Sequence, residues 1–142
     1  VTAREPGEFF EQLSALARML RGVATESYAE FDVGGTQARM LRHIGRHARI
    51  SQADLARATG SDPALTGRVL DALVERGWVR RTRSELDRRQ YVLELTPAGQ
   101  RIRKRVEEVR ARVAERIARV LDERDHQDFE RIAAKIHAAF EA

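Results

Sequence analysis

The chain has no cysteine, which excludes disulfides, thiolate zinc sites and thiol-based redox switching. Proline is scarce, with three residues, aromatic side chains make up only 6% of the 142 positions, and two of the 26 basic residues, Lys104 and Lys135, are lysine. No apolar run approaches the roughly 18 residues that a membrane span needs. The charged opening VTAREPGEFF lacks the apolar stretch of a secretory signal. A cytoplasmic protein with no membrane partner is expected. No serine sits in a G-x-S-x-G elbow and no motif positions a pair of carboxylates, so catalysis has no support and no cofactor is expected.

What is present is a folded composition, 42% hydrophobic against 34% charged, with a net charge of +4 that is unevenly spread. Residues 1–38 carry 3 basic and 6 acidic groups, residues 39–105 carry 16 and 7, and residues 106–142 carry 7 and 9. A basic middle between two mildly acidic ends suggests a polyanionic partner for the middle alone.

Apolar spacing predicts an amphipathic helix from about Pro6 to Phe31, carrying Phe9, Leu13, Leu16, Leu20 and Val23 and broken at Gly34-Gly35. A second helix, about Thr36 to Ala48, is expected to bury Leu41, Ile44 and Ala48. Ser51 reads as the N-cap of a short third helix, with Asp54 as its capping-box partner and Ile50 and Leu55 as a hydrophobic staple. Gly60 ends that helix, and Pro63 opens a fourth that runs to Gly77. Two helices joined by so short a turn predict a helix-turn-helix.

From Trp78 the pattern becomes β-like. WVRRTR and QYVLELT flank the polar SELDRR and read as a hairpin, the wing of a winged helix. Thr96 and Pro97 then start a helix along Ile102, Val106, Val109, Val113, Ile117 and Val120. Asp125 and Asp128 are expected to cap a last one. The fold class is therefore mainly α with a small β-hairpin wing, in a single domain. A winged helix-turn-helix core over residues 36–96 is flanked by dimerisation helices over 1–35 and 97–142. The terminal helices leave an apolar stripe that an isologous homodimer would cover, with Phe9, Leu13, Ile132, Ile136 and Phe140 as interface candidates.

The wing holds the strongest functional signal. Residues 80–89, RRTRSELDRR, pack five arginines and two acids into ten positions, a self-repelling arrangement that double-stranded DNA would neutralise, above all in a narrow minor groove. Arg83, Arg88 and Arg89 are the candidate contacts, and Asp87 is placed to fix Arg89 by a charge-assisted hydrogen bond. On the fourth helix Thr66, Val69, Leu70, Leu73 and Val74 point inward, Ala64, Arg68 and Asp71 outward, and Leu65 lies at the margin. Arg68 suits a bidentate contact with guanine, while Ala64 and Gly67 are small enough to allow close approach to base edges. Two other readings compete. One is a winged-helix scaffold that binds protein. The other is a metal-responsive regulator using His43 and His47, whose i, i+4 spacing on the second helix can chelate zinc although no further ligand is visible.

The ordered set Leu73, Gly77, Trp78-Val79 and Arg81, then Asp87-Arg88-Arg89, then Leu95-Thr96 and Gly99, resembles the core of the MarR (multiple antibiotic resistance) family of transcriptional regulators. The resemblance is sharp over roughly residues 50–105. It implies a homodimeric winged helix-turn-helix repressor that binds a pseudo-palindromic operator and is often released by a small aromatic or phenolic ligand. By the same resemblance Arg89 is the minor-groove arginine and Asp87 its partner. Gly67 departs from the pattern, where a serine or threonine is usual before the arginine matching Arg68. Tyr28, Met40 and His43 are the candidate lining of an effector pocket.

Overall fold

The computed structural model describes residues 4–141, built as six helices and three short strands. In chain order these are α1 (Pro6–Ala29), α2 (Gly35–Arg46), β1 (Ile50–Ser51), α3 (Gln52–Thr59), α4 (Pro63–Glu75), β2 (Val79–Arg83), β3 (Tyr91–Leu95), α5 (Pro97–Ala118) and α6 (Glu123–Phe140). The mainly helical winged architecture expected from the sequence is present. Two compact units are distinguished, Val1–Val109 and Arg110–Ala142, with α5 beginning in the first and ending in the second. No helix among the described residues is long and apolar enough to cross a membrane.

In the first unit Met40, Leu41, Ile44, Leu55, Leu70, Leu73, Leu93 and Val106 are fully buried, so α2, α3, α4, the sheet and the start of α5 share one core. The sheet order is β1-β3-β2, antiparallel throughout. Pairing of Ile50 with Leu93 and of Val79 with Leu95 anchors the wing at its base.

Three helices of this unit end in the same way, with a left-handed residue that lets two N–H groups turn back onto the last carbonyls. At the end of α3 it is Gly60 (φ 62°), with Ser61 N–H reaching Ala56 O at 3.0 Å. At the end of α4 it is Gly77 (φ 76°), with Trp78 N–H reaching Leu73 O at 3.0 Å. The third is not a glycine. After α1 it is Asp32 (φ 59°), with Val33 N–H donating to Tyr28 O at 3.1 Å. The helix thus stops at Ala29 rather than running to Phe31, and the turn lies ahead of Gly34-Gly35. Aspartate tolerates this conformation, and Arg76 secures it by donating to the Asp32 carbonyl and, at 3.2 Å, to its Oδ2.

Other expectations are corrected. α2 ends at Arg46, and the extended His47 (φ −115°, ψ 142°) redirects the chain so that Ala48 is exposed and Ile50 takes the core position. Val74, expected inward, is 37% exposed on the last turn of α4. Ser51 does accept the Asp54 N–H at 3.0 Å, but the Asp54 carboxylate turns to Arg57 instead of completing a reciprocal box. The last helix is capped by Asp122, which exchanges two 2.9 Å hydrogen bonds with Asp125.

The start of α5 meets the base of the wing without intervening side chains. Thr96 Oγ1 accepts the Gly99 N–H at 3.0 Å and donates to Gly77 O, while Thr96 N–H donates to Trp78 O at 3.1 Å. A Cβ on Gly99 would lie 2.0 Å from that Trp78 oxygen, so only glycine fits. Beside this junction α2 and α5 interlock. Arg103 lies against Gly45, where a Cβ would meet its Cδ at 2.3 Å, and donates to Gly45 O at 3.1 Å; Arg42 pairs with Glu107 at 2.9 Å.

In the second unit α6 buries none of its residues. Phe129 and Phe140 are 63% and 86% exposed, and Ile132 and Ile136 half-buried. On α1 of the first unit Phe9, Phe10, Leu13, Leu16 and Met19 are all exposed.

Candidate nucleic-acid interface

The turn between α3 and α4 is set by residues that act locally. Gly60 supplies the left-handed bend, Asp62 accepts the Ala64 N–H at 3.3 Å, and Pro63 fills the first helical position, where its missing N–H costs nothing. Thr66 is fully buried, its hydroxyl donating to Asp62 O at 3.0 Å. With Thr66, Leu70 and Leu73 facing the core, Ala64, Leu65 and Arg68 emerge on the opposite side of α4, all exposed. Arg68 makes no hydrogen bond or ion pair among the described residues, so its five donors are available. Asp71, a possible intrahelical partner, is taken by Arg81 of β2. Space at Gly67 is ample: a Cβ there would meet only Gln52 Nε2, at 3.7 Å. Its value is the bareness of the helix surface, not conformational freedom.

The wing divides its arginines into braces and free ends. Arg81 is largely covered, bound to Asp71, with its guanidinium 5.3 Å from the Tyr91 ring centre. Arg80 pairs with Glu94 at 3.4 Å. Arg83 donates to Arg88 O at 2.6 Å and to the Tyr91 hydroxyl at 3.2 Å, and its guanidinium lies 4.9 Å from the ring. Arg83 thereby closes the hairpin. The projecting groups are Arg88 and Arg89, both exposed, and the Arg89 side chain is 91% accessible although its Nε is held by Asp87. Asp87 accepts from both the backbone N–H and Nε of Arg89, at 3.1 and 3.2 Å.

Sequence reading passed over Ser84. Its Oγ accepts the N–H groups of Leu86 at 3.2 Å and Asp87 at 3.3 Å, while its own N–H donates to Gln90 O at 2.9 Å. A serine followed two and three residues later by the N–H groups of a tight turn is a recognisable local signal. A cleft of about 560 Å³ lies between α3, the start of α4 and the wing, bordered by Gln52, Arg57, Pro63, Thr66, Arg89 and Tyr91.

The candidate effector residues are placed elsewhere. Tyr28 and Met40 are core side chains, Tyr28 edge-on to Phe31 with ring centres 6.2 Å apart, and His43 is half-buried; none of the three borders the cleft. Burial, and then the neighbouring Arg46, Arg42 and Arg39, hold the His43 pKa below its ordinary value. The His43/His47 pair is not on one helix face as expected, because His47 lies beyond the end of α2 in extended backbone. No group of three or more His, Cys, Asp or Glu able to hold a metal ion occurs among the described residues.

Residues 31–90 match the MarR family. Over 75 residues the chain is 31% identical to the uncharacterised HTH-type transcriptional regulator YfiV of Bacillus subtilis (strain 168); the match covers 53% of this chain and 47%, about half, of that relative. A MarR transcriptional regulator from Methanosarcina mazei Go1 has a similar structure, with TM-score 0.80 at 23% identity over 92% of this chain and 94% of that one. A mutant MarR from E. coli, crystallised with operator DNA, gives 0.77 at 22% identity, covering 94% and 99% of the two chains. The structure of the wild-type E. coli protein without ligand gives 0.77 at 20%, covering 96% and 98%. Residues 31–90 are thus similar to the MarR family, and the chain that carries them has the winged helix-turn-helix fold of the solved MarR structures.

Proposed function

We propose that this chain is a transcriptional regulator, not an enzyme, that binds double-stranded DNA as a homodimer and represses by occupying a pseudo-palindromic operator. The observation that carries the reading is the pairing of two exposed cationic groups on one unit. Arg68 has no partner among the described residues on the outer face of α4, and Arg89 projects from the wing tip, its side chain 91% accessible and its direction set by the Nε hydrogen bond to Asp87. A free guanidinium on a helix that fits the major groove can read guanine, and one on a projecting hairpin can enter the minor groove beside it. The MarR structure crystallised with operator DNA has the same fold and supports the same assignment. Ala64, Leu65 and Gly67 then form the low surface that lets α4 approach the bases, Arg88 meets phosphate, and Arg83 serves the site by closing the hairpin.

The exposed Phe9 and Leu13 of α1, and on α6 the exposed Phe140 with the half-buried Ile132 and Ile136, support a two-fold interface with a second copy. The two copies of α4 would then address successive major grooves about one helical turn apart. Release by a small aromatic or phenolic effector completes the proposal. Because Tyr28 and Met40 are closed in the core, an effector that reaches them must part α1 from α2, and that movement would respace the reading heads.

The test is fluorescence anisotropy with double-stranded DNA from upstream of the chain's own coding region, over a range of salt. The expected result is a log–log dependence of affinity on salt with a slope of several units, and binding abolished by Arg89→Glu with the dimer intact. Absence of binding even in dilute buffer, or wild-type binding by Arg89→Glu, would overturn the assignment.

A further inference from the structure

The wing tip holds one side chain that the arginines leave unexplained. Leu86 is 100% exposed, between Glu85 and Asp87 at the apex of the hairpin. It does not sit on a slack loop. Its N–H and that of Asp87 both donate to Ser84 Oγ, Ser84 and Gln90 are joined by a 2.9 Å backbone hydrogen bond, and Gln90 N–H donates to Asp87 O at 2.9 Å. Arg83 holds Arg88 O from the other side of the turn. The backbone from 84 to 90 is therefore fixed without any contribution from the leucine side chain. Three residues on, Arg89 leaves the same rigid turn under the control of Asp87. An isobutyl group and a guanidinium thus project from one preorganised platform, and only the guanidinium has a role in an electrostatic account of the wing.

We propose that Leu86 is the apolar half of a two-part minor-groove contact, packing on the deoxyribose walls while Arg89 lies along the electronegative floor. The proposal rests on the DNA-binding reading above. Sugar C–H edges are the apolar surface that a duplex offers to a group entering this groove, and leucine is among the side chains that minor-groove proteins insert. Ordering such a contact costs little here, because the turn is already held. The two halves differ in physical signature. An arginine that neutralises phosphate charge releases counterions, so its contribution falls as salt rises; a leucine releases water from apolar surface, and its contribution stays.

That difference is the test. Anisotropy titrations with the upstream DNA duplex, at several salt concentrations, are run on the full chain and on Leu86→Ser, Leu86→Met and Arg89→Ala. Leu86→Ser is expected to weaken binding about five- to tenfold, as for a partly buried leucine, with the salt slope unchanged. Leu86→Met is expected to stay within about twofold, and Arg89→Ala to lower the slope by about one. The circular dichroism and thermal midpoint of Leu86→Ser should match the parent, since the side chain braces nothing. Parental affinity in Leu86→Ser, with a loss in Arg89→Ala, overturns the role of Leu86 and leaves the DNA-binding reading standing. A loss in Leu86→Ser that comes with a reduced slope also overturns it. Indifference of both variants overturns the role of Leu86 and removes the wing from the DNA contact, whereas absence of binding by the parent removes the DNA-binding reading itself.

Discussion

Asp87 and Arg89 act as one unit: a single carboxylate oxygen accepts both the backbone N–H of Arg89, at 3.1 Å, and its Nε, at 3.2 Å. The first bond fixes the peptide and the second fixes the side chain, so an otherwise open guanidinium has a preferred direction. The Arg89 side chain is almost fully exposed and Asp87 half-buried, so the pair adds little to stability. Its worth lies in orientation.

Asp87→Ala removes that direction and also removes a negative charge that phosphates repel, so the two effects oppose each other. Affinity for unrelated DNA is expected to hold or rise slightly, while the preference for operator over unrelated DNA falls by roughly threefold to tenfold. Competition titrations with both DNAs measure the ratio. An unchanged ratio would show that Asp87 does not aim Arg89.

Two glycines predict unequal penalties. At Gly99 an added methyl meets the Trp78 carbonyl oxygen at 2.0 Å, and backbone cannot step aside. Gly99→Ala is expected to cost about 2–4 kcal/mol in urea unfolding. At Gly45 the obstacle is the Arg103 side chain, which can rotate away at the loss of its hydrogen bond to Gly45 O. Gly45→Ala is expected to cost about 1 kcal/mol. The reverse order would contradict the packing described at both places.

His43 predicts a pH dependence of stability. Burial, then Arg46, Arg42 and Arg39, disfavour its charged form and hold its pKa below the ordinary 6.5. Above that value the ring is neutral in both folded and unfolded chains and no stability is lost. As the pH falls below it, the unfolded chain takes up a proton that the folded chain resists, so stability declines until the folded value has also been passed. His43→Gln should flatten this part of a plot of unfolding midpoint against pH. Equal slopes for both proteins would count against it.

Terminal aromatics predict the assembly state. Phe9→Glu and Phe140→Glu each place a charge where an apolar contact with a second copy is proposed. Light scattering after gel filtration is expected to fall from twice the 16.1 kDa chain mass towards one chain, with operator affinity weakened at least tenfold. A parental mass in both variants would move the interface elsewhere.

The helix-turn-helix and the wing were legible because their signals are local. Gly60, Pro63, Gly77 and Thr96 each fix the backbone within a few residues. What escaped depends on distant partners. Asp32 adopts its left-handed turn with help from Arg76, 44 residues away. Strand β1 has only two residues and exists because β3 lies beside it. The same limit applies within the candidate site. Five arginines in ten positions announced a charged tip, but only the structure sorts Arg83 into a brace on Tyr91 and leaves the Arg89 side chain 91% exposed. The His43/His47 spacing misled because periodicity says nothing about where a helix stops.

The contact between Gly99 and the Trp78 carbonyl has a mechanical consequence. Where side chains separate two elements, rotamer changes can absorb a small displacement; here peptide touches peptide, and a hydrogen bond from Thr96 ties the same oxygen. The first turn of α5 and the root of the hairpin behave as a rigid elbow. Any tilt of that turn is passed, undamped, to the position of Arg89.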